Sequence, residues 1–311
     1  MPRPRELPPH LRRLAFRTGD VDLHGLSRGR LRSSDIAHPF YAVSVPAAAM
    51  GASVLERCRQ YRPLLGADHA FSHVTAAFLH GVPLPARFGG DGPLHVSAFG
   101  NDACPRTRGV AGHRLRGSDV EVVLLEGLPV VGAGDTWRHL AQFLNREDLV
   151  AAGDYLVSGH RTPAGRERPL CTLDELRAVR RKHAGRRGVA VLDWALERIR
   201  RPVDSRPESL LRLLLVGAGF PEPIPNDPTP VDGGATILHP DLKSREYRML
   251  FEYEGDGHRE DPARFRYDIR RIELFQAEGW HVSRVTSDDL FRYRGAFLAR
   301  VWRTAARRRS S

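Results

Sequence analysis

Residues 248–258 read Arg-Met-Leu-Phe-Glu-Tyr-Glu-Gly-Asp-Gly-His, and this stretch decides the fold of the C-terminal third of the chain. Alternation along a strand over 246–254 puts Glu252 and Glu254 on one face and Phe251 and Tyr253 on the other. Two carboxylates two residues apart on a strand repel each other unless a cation neutralises them. Asp241 lies eleven residues before Glu252, on the strand that Thr236-Ile237-Leu238 leads. Joined by the polar turn Lys243-Ser244-Arg245, the two strands would form a hairpin on which Asp241 meets Glu252. Such hard oxygen donors suit Mg²⁺ or Mn²⁺, and a plain surface cluster of acids would show the same residues.

The surroundings make a compact α/β unit. Pro207-Glu208 opens a helix through Leu215, with proline in the first turn and an acid at its positive end. Pro262 to Ala277 reads as a helix, with Phe265, Ile269, Ile272 and Phe275 near 3.6 spacing. Gly279 caps it, and Trp280 to Val285 is a further strand. Glu208 is a plausible fourth acid, and His258 is a nearby group able to move a proton.

The same segment resembles the Vsr-like branch of the restriction-endonuclease-like (PD-(D/E)XK) superfamily, the very-short-patch-repair nucleases. The matching residues run in order: Glu208-Ser209-x-x-Arg212, Ala218-Gly219-Phe220-Pro221-x-Pro223, Pro240-Asp241-Leu242, then Glu252-Tyr253-Glu254-Gly255-Asp256-Gly257-His258. Asp268-x-x-Arg271, Gly279-Trp280-x-Val282 and Arg284-Val285-Thr286 close the set. The resemblance implies a central mixed β-sheet flanked by helices and a metal, Mg²⁺ or Mn²⁺, held by Asp241 and Glu252. It further implies that Glu208 is the upstream helical acid and that Asp268 and Arg271 form a supporting helix pair. An Asp-Arg pair at that spacing also suits a plain surface ion pair. Where the family commonly carries E-Y-D-G, this chain has Glu252-Tyr253-Glu254-Gly255, and Glu254 stands where the superfamily often has a lysine. Lys243 lies too far along the sequence to take that role.

Upstream, Ser72-His73-x-Thr75-Ala76-Ala77-x-Leu79-His80-Gly81-x-Pro83-Leu84-Pro85 resembles the antitoxin-like N-terminal part of AbiEi-type proteins. Leu94-His95-Val96, Gly112-His113-Arg114, Gly127-Leu128-Pro129-Val130 and Asp135-Thr136 add to that likeness. It implies a DNA-binding regulator and a cognate toxin protein as partner. His73 and His80 share a helix face, yet they read as packing histidines because no third ligand stands at a suitable spacing. Ser72-His73 is not a nucleophile pair, since adjacent helical residues point apart. Asp232-Gly233-Gly234 lacks the Lys and Ser/Thr of a phosphate loop and reads as a turn.

Length and charge frame these readings. The chain has 311 residues with 41% hydrophobic and 27% charged content, which excludes a disordered protein and favours two or three domains. The expected layout is a winged-helix-like unit over 1–60, an α/β region over 61–201 and an endonuclease-like domain over 202–304. A basic tail over 305–311, expected to be disordered, ends the chain. The net charge of +11 is concentrated in residues 1–32, 177–201 and 303–311, the footprint of a polyanion partner, here DNA. Lysine occurs only at Lys182 and Lys243, so the arginine excess also fits a GC-rich genome.

Expected phosphate contacts are Arg28, Arg30 and Arg32 in the N-terminal unit, where a short helix around Leu11–Arg17, a second helix through Arg32 and a strand after His38 would suit a winged helix. A plain arginine-rich helical cap suits the same residues. Arg180, Arg181, Lys182, Arg186 and Arg187 extend the expected contacts along a basic helix over 173–200. No apolar run reaches the roughly 20 residues of a membrane helix. The start of the chain lacks the apolar core of a secretory signal, and Cys58, Cys104 and Cys171 fit reduced cytosol. The sequence therefore predicts a cytoplasmic α/β protein with two readings, a metal-dependent DNA endonuclease or nickase, or a non-catalytic antitoxin-like regulator built on an inactive nuclease fold.

Overall fold

The computed structural model describes residues 6–115, 120–162, 164–185, 188–255 and 262–309. The fold is mixed α/β, and the chain divides into two compact units. One comprises Met1–Phe143 with Glu175–Val189, and the other Leu144–Asp174 with Ala190–Ser311. No described helix is long and apolar enough to cross a membrane.

In the second unit a four-stranded mixed sheet orders Ile224–Pro225, Leu242–Ser244, Met249–Glu254 and His281–Thr286. Leu242–Ser244 runs antiparallel to Met249–Glu254, and His281–Thr286 runs parallel to it. Alternation along Met249–Glu254 is as the sequence predicts, but both faces are covered. Met249 and Phe251 join Leu211, Leu215, Phe220, Phe297 and Val301 in one core. Leu250 packs on the other side with Val231 and Phe275. The helices Arg206–Gly217 and Arg294–Arg309 thus cover one face and the helix Pro262–Ala277 the other, which explains why the strand is apolar at nearly every position but its acids.

The helix after Ser205 starts where expected, because the Ser205 side chain accepts from the backbone N–H of Glu208. Thr236–Leu238 differs from expectation: it pairs with Thr229–Val231 in a separate two-stranded ribbon. The hairpin partner of the Glu252 strand is Leu242–Ser244, so Lys243 and Ser244 lie in a strand and not in the turn.

The boundary expected at residue 201 is not where the chain divides. Helix Arg146–Ser158 belongs with the C-terminal unit because its buried polar groups are satisfied there. Asp154, fully buried, accepts from Ser209 Oγ at 2.7 Å, Arg200 N at 2.7 Å and Arg212 Nη2 at 2.8 Å. Asp148 pairs with Arg206 at 2.7 Å, and Ser158 Oγ accepts from Val203 N. The tail is also shorter than expected: Arg307–Arg309 form the last turn of Arg294–Arg309, with Ala305 buried and Arg308 donating to Tyr247 O at 2.9 Å.

In the first unit a five-stranded sheet orders Val110–Arg114, Leu94–Ala98, His69–Phe71, Leu128–Val131 and Val122–Leu125. Helices His73–Leu79 and Ala133–Leu140 pack together beside it. The expected winged helix is not formed. Residues 6–53 contain 3₁₀ turns at Pro9–Leu11, Thr18–His24, Arg30–Arg32 and Ala47–Ala49 and three short paired strands, with no α-helix before Val54 among the described residues. Pro8-Pro9, Gly19, Gly25 and Gly29 interrupt the segment before any α-helix gains a second turn, Gly25 at φ 65°. The basic helix over 173–200 is likewise two helices, Leu173–Lys182 and Val189–Leu196, and between them Gly185 and Gly188 take positive φ.

Candidate active site

The acids singled out in the sequence converge. One cavity of about 370 Å³ is lined by Ser205, Glu208, Asp241, Glu252, Glu254, Asp268 and Arg271, among others. Pairing of Leu242 with Phe251 and of Lys243 with Leu250 sets a register that places Asp241 opposite Glu252, as the hairpin count predicts. Asp241 Oδ2 accepts from the backbone N–H of Tyr253 at 2.7 Å, which ties the acid to the end of the strand it faces. Glu208 reaches the cavity from the first turn of its helix.

Glu208 and Glu252 are buried and Asp241 is half-buried, and their electrostatics follow from that. Burial and then the Asp241 charge push Glu208 up to about 8, while burial raises Asp241 to about 6 despite the Tyr253 N–H. Glu252 is raised well above the ordinary range by burial and by Asp241, with Arg271 opposing. Arg271 Nη1 donates to Glu252 Oε2 at 2.8 Å, and its Nη2 donates to the carbonyl of His239. Arg271 therefore supports an acid of the cavity and is not a plain surface ion-pair residue. Glu252 Oε1 is buried and has no hydrogen-bond partner among the described residues. A single cation does not neutralise three raised carboxylates, and a buried carboxylate oxygen without a partner carries a desolvation cost that a hard divalent cation would relieve. Hard carboxylate oxygens are donors of the kind Mg²⁺ or Mn²⁺ takes, although no three of these acids bring ligand atoms within 4.8 Å of one another.

A titration follows. In chelator, buried acids with raised folded-state values stabilise the fold fully below the ordinary carboxylate range and lose that contribution as pH rises through the raised values. The melting temperature of the metal-free protein is expected to fall from about pH 4 to pH 8, the Asp241 contribution being lost by about 6 and the Glu208 contribution by about 8. Calorimetric scans of wild type and Glu208→Gln check this, the variant showing the flatter profile.

Other expected residues sort as follows. Glu254 Oε1 accepts from Arg284 Nε at 2.6 Å, so the position where a lysine was expected carries an acid with an arginine beside it. Lys243 is buried away in an ion pair with Asp227 at 3.1 Å, over the Trp280 ring. His258, Arg186 and Arg187 lie outside the described residues. Arg30 does not face solvent: it is buried and forks onto Asp35 at 2.8 and 2.7 Å. This removes it from the expected phosphate contacts, because its guanidinium donors are spent on a structural carboxylate. Arg28 and Arg32 line a separate cavity with Tyr41. Arg181 and Lys182 are exposed at the end of Leu173–Lys182, and Arg180 is half-buried.

Asn226 was missed. Its side chain donates to Glu208 Oε2 at 3.1 Å, its backbone N–H donates to Asp241 O at 3.1 Å, and it sits at φ 51°. The signal was present as Pro225-Asn226-Asp227-Pro228, a turn in which asparagine best tolerates the left-handed conformation.

The chain is 30% identical over 140 residues to two proteins of Mycobacterium tuberculosis, the uncharacterized proteins MT2308 (strain CDC 1551 / Oshkosh) and Rv2248 (strain ATCC 25618 / H37Rv). The match covers 45% of this chain and 51% of each relative, so the chain spans about half the length of the curated relatives it matches. No protein-family model and no solved structure matches it.

Proposed function

We propose that the C-terminal unit is a Mg²⁺- or Mn²⁺-dependent DNA endonuclease or nickase on a restriction-endonuclease-like fold. The observation that carries the reading is the convergence of Glu208, Asp241, Glu252, Glu254, Asp268 and Arg271 on one cavity. Asp241 and Glu252 are the metal ligands of this reading. A bound divalent cation supplies Lewis acidity at a phosphodiester and lowers the pKa of water. Within the chain, Arg271 fixes the Glu252 carboxyl through Oε2, and Asp204 N and Asn226 Nδ2 fix Glu208 through its Oε2. Glu208, with its value raised into the neutral range, is suited to exchange a proton with an attacking water.

Incubation of supercoiled plasmid with purified protein in Mg²⁺, Mn²⁺ or EDTA tests the proposal. Metal-dependent nicking that Asp241→Ala abolishes supports it. DNA binding without cleavage under any of these conditions moves the assignment to the alternative, a non-catalytic antitoxin-like regulator with a cognate toxin as partner.

In either reading the exposed Arg181 and Lys182 contact phosphate. Arg181→Ala is expected to weaken DNA binding about equally for all sequences and to reduce the salt-dependence slope by about 1. Binding isotherms at several salt concentrations check it.

A further inference from the structure

The second cluster of titratable groups lies in the other unit and plays no part in the proposed nuclease. His73, at the start of His73–Leu79, faces His95 and His113 from the neighbouring strands Leu94–Ala98 and Val110–Arg114. In the parallel register Ser97 stands beside His113, so His95, Ser97 and His113 share the sheet face turned to that helix. One ligand atom from each of the three histidines lies within 4.8 Å of the others, and among the described residues no other group of three His, Cys, Asp or Glu does so. The missing third ligand of the His73 pattern thus comes from strands far along the chain, and His80 is not part of the set: its Nε2 contacts Val131 O at 2.8 Å.

We propose that His73, His95 and His113 form a binding site for one divalent transition-metal ion that prefers imidazole, Zn²⁺ foremost. Four observations carry it. His95 Nδ1 and His113 Nε2 share a hydrogen bond at 2.9 Å, so both nitrogens point at one proton that an ion would displace on widening the pair to the about 3.3 Å set by tetrahedral Zn²⁺. The His73 ring is oriented from behind, with Nδ1 at 2.8 Å from Ser72 Oγ, which accepts from Ser97 Oγ at 2.7 Å; metal-binding histidines are commonly held by such outer contacts. His73 also takes φ 51°, a conformation that a non-glycine residue keeps only where its surroundings impose it.

The fourth observation is the walls. His73 lies stacked between His113 at 3.8 Å and His139 at 4.2 Å, so ligation turns its ring out of that stack. His139 accepts from Arg138 Nη2 at 2.6 Å through Nε2, its Nδ1 is buried with no hydrogen-bond partner among the described residues, and Phe143 stands edge-on to both His73 and His95. The nearby Arg138 charge is met by Asp135 at 3.1 Å. Burial keeps all these imidazoles neutral at physiological pH, His73 down to about 2 and His95 to about 4, so their lone pairs are available without proton competition. Neutral imidazole nitrogens select Zn²⁺, Co²⁺, Ni²⁺ or Cu²⁺ over Mg²⁺.

The full chain, stripped with EDTA and kept in excess Mg²⁺ to saturate the acid cavity, is titrated with Co²⁺ and read by its visible absorption. One equivalent is expected to give a tetrahedral spectrum that Zn²⁺ displaces. His113→Asn is expected to lower Co²⁺ affinity by more than about a hundredfold, since loss of outer contacts alone costs about 10–100-fold. Asp241→Asn is expected to leave it unchanged. Equal affinity in wild type and His113→Asn, or no saturable one-to-one binding, overturns the site. If the variant does not fold, ring-nitrogen NMR of wild type decides: Zn²⁺ must shift the His73, His95 and His113 signals, and shifts confined to other histidines refute the proposal.

Discussion

Glu252→Gln is expected to reduce metal-dependent plasmid nicking by more than about a hundredfold while raising the melting temperature of the protein in chelator. The two effects have one cause. Glu252 is buried opposite Asp241, and its Oε1 has no partner among the described residues. The amide keeps the shape and leaves an oxygen for Arg271 Nη1, but it removes a negative charge that the fold holds only at a cost. Burial and the neighbouring Asp241 hold the Glu252 carboxyl well above the ordinary range, so relief of that cost is expected to stabilise the fold. Loss of an outer-shell partner costs a metal site about 10–100-fold, and loss of a ligand costs more than that. Nicking rates in Mg²⁺ and calorimetric scans in EDTA read the two halves separately. A variant that loses stability and activity together would indicate a structural role instead.

The largest stability effect is expected at a residue outside the cavity. Asp154→Ala leaves Arg212, nearly fully buried, facing only the partly exposed Glu222 at 2.8 Å. It also strips partners from Ser209 Oγ and Arg200 N. Removing one member of a buried pair costs about 3–5 kcal/mol because the other charge stays desolvated. For a unit of this size the melting temperature is expected to fall by roughly 6–20 °C. Thermal denaturation checks it, and replacing Asp154 and Arg212 together with apolar residues is expected to recover part of the loss, which the single change cannot.

These two sites show what was legible in the sequence. The acids of the cavity were readable because local rules place them: strand alternation for Glu252 and Glu254, a count across a hairpin for Asp241, and a proline in the first turn for the Glu208 helix. Their supports were less so. Spacing alone read Arg271 as one half of an i,i+3 pair with Asp268, and only the family resemblance gave it a supporting role; the fold turns its guanidinium to Glu252, a choice made by packing of Pro262–Ala277 on the sheet. Asp154 was invisible as a partner of Arg212, since a helix of one region was read as belonging to the next domain upstream. Ordered sheet pairing is equally non-local: Thr236–Leu238 read as the hairpin strand but pairs with Thr229–Val231. At the N-terminus two short helices are expected from the sequence, but closely spaced glycines favour 3₁₀ turns over α-helix. The histidine cluster escaped for the same reason as Asp154, its members lying on three elements that only the sheet register brings together.

The central claim is that Asp241 and Glu252 hold a divalent cation. Isothermal titration of Mg²⁺ into metal-free wild type and Asp241→Asn measures it without requiring the natural DNA target. Saturable binding to wild type that is lost in Asp241→Asn is the predicted result. Binding of Mg²⁺ to Asp241→Asn as tightly as to wild type would contradict it.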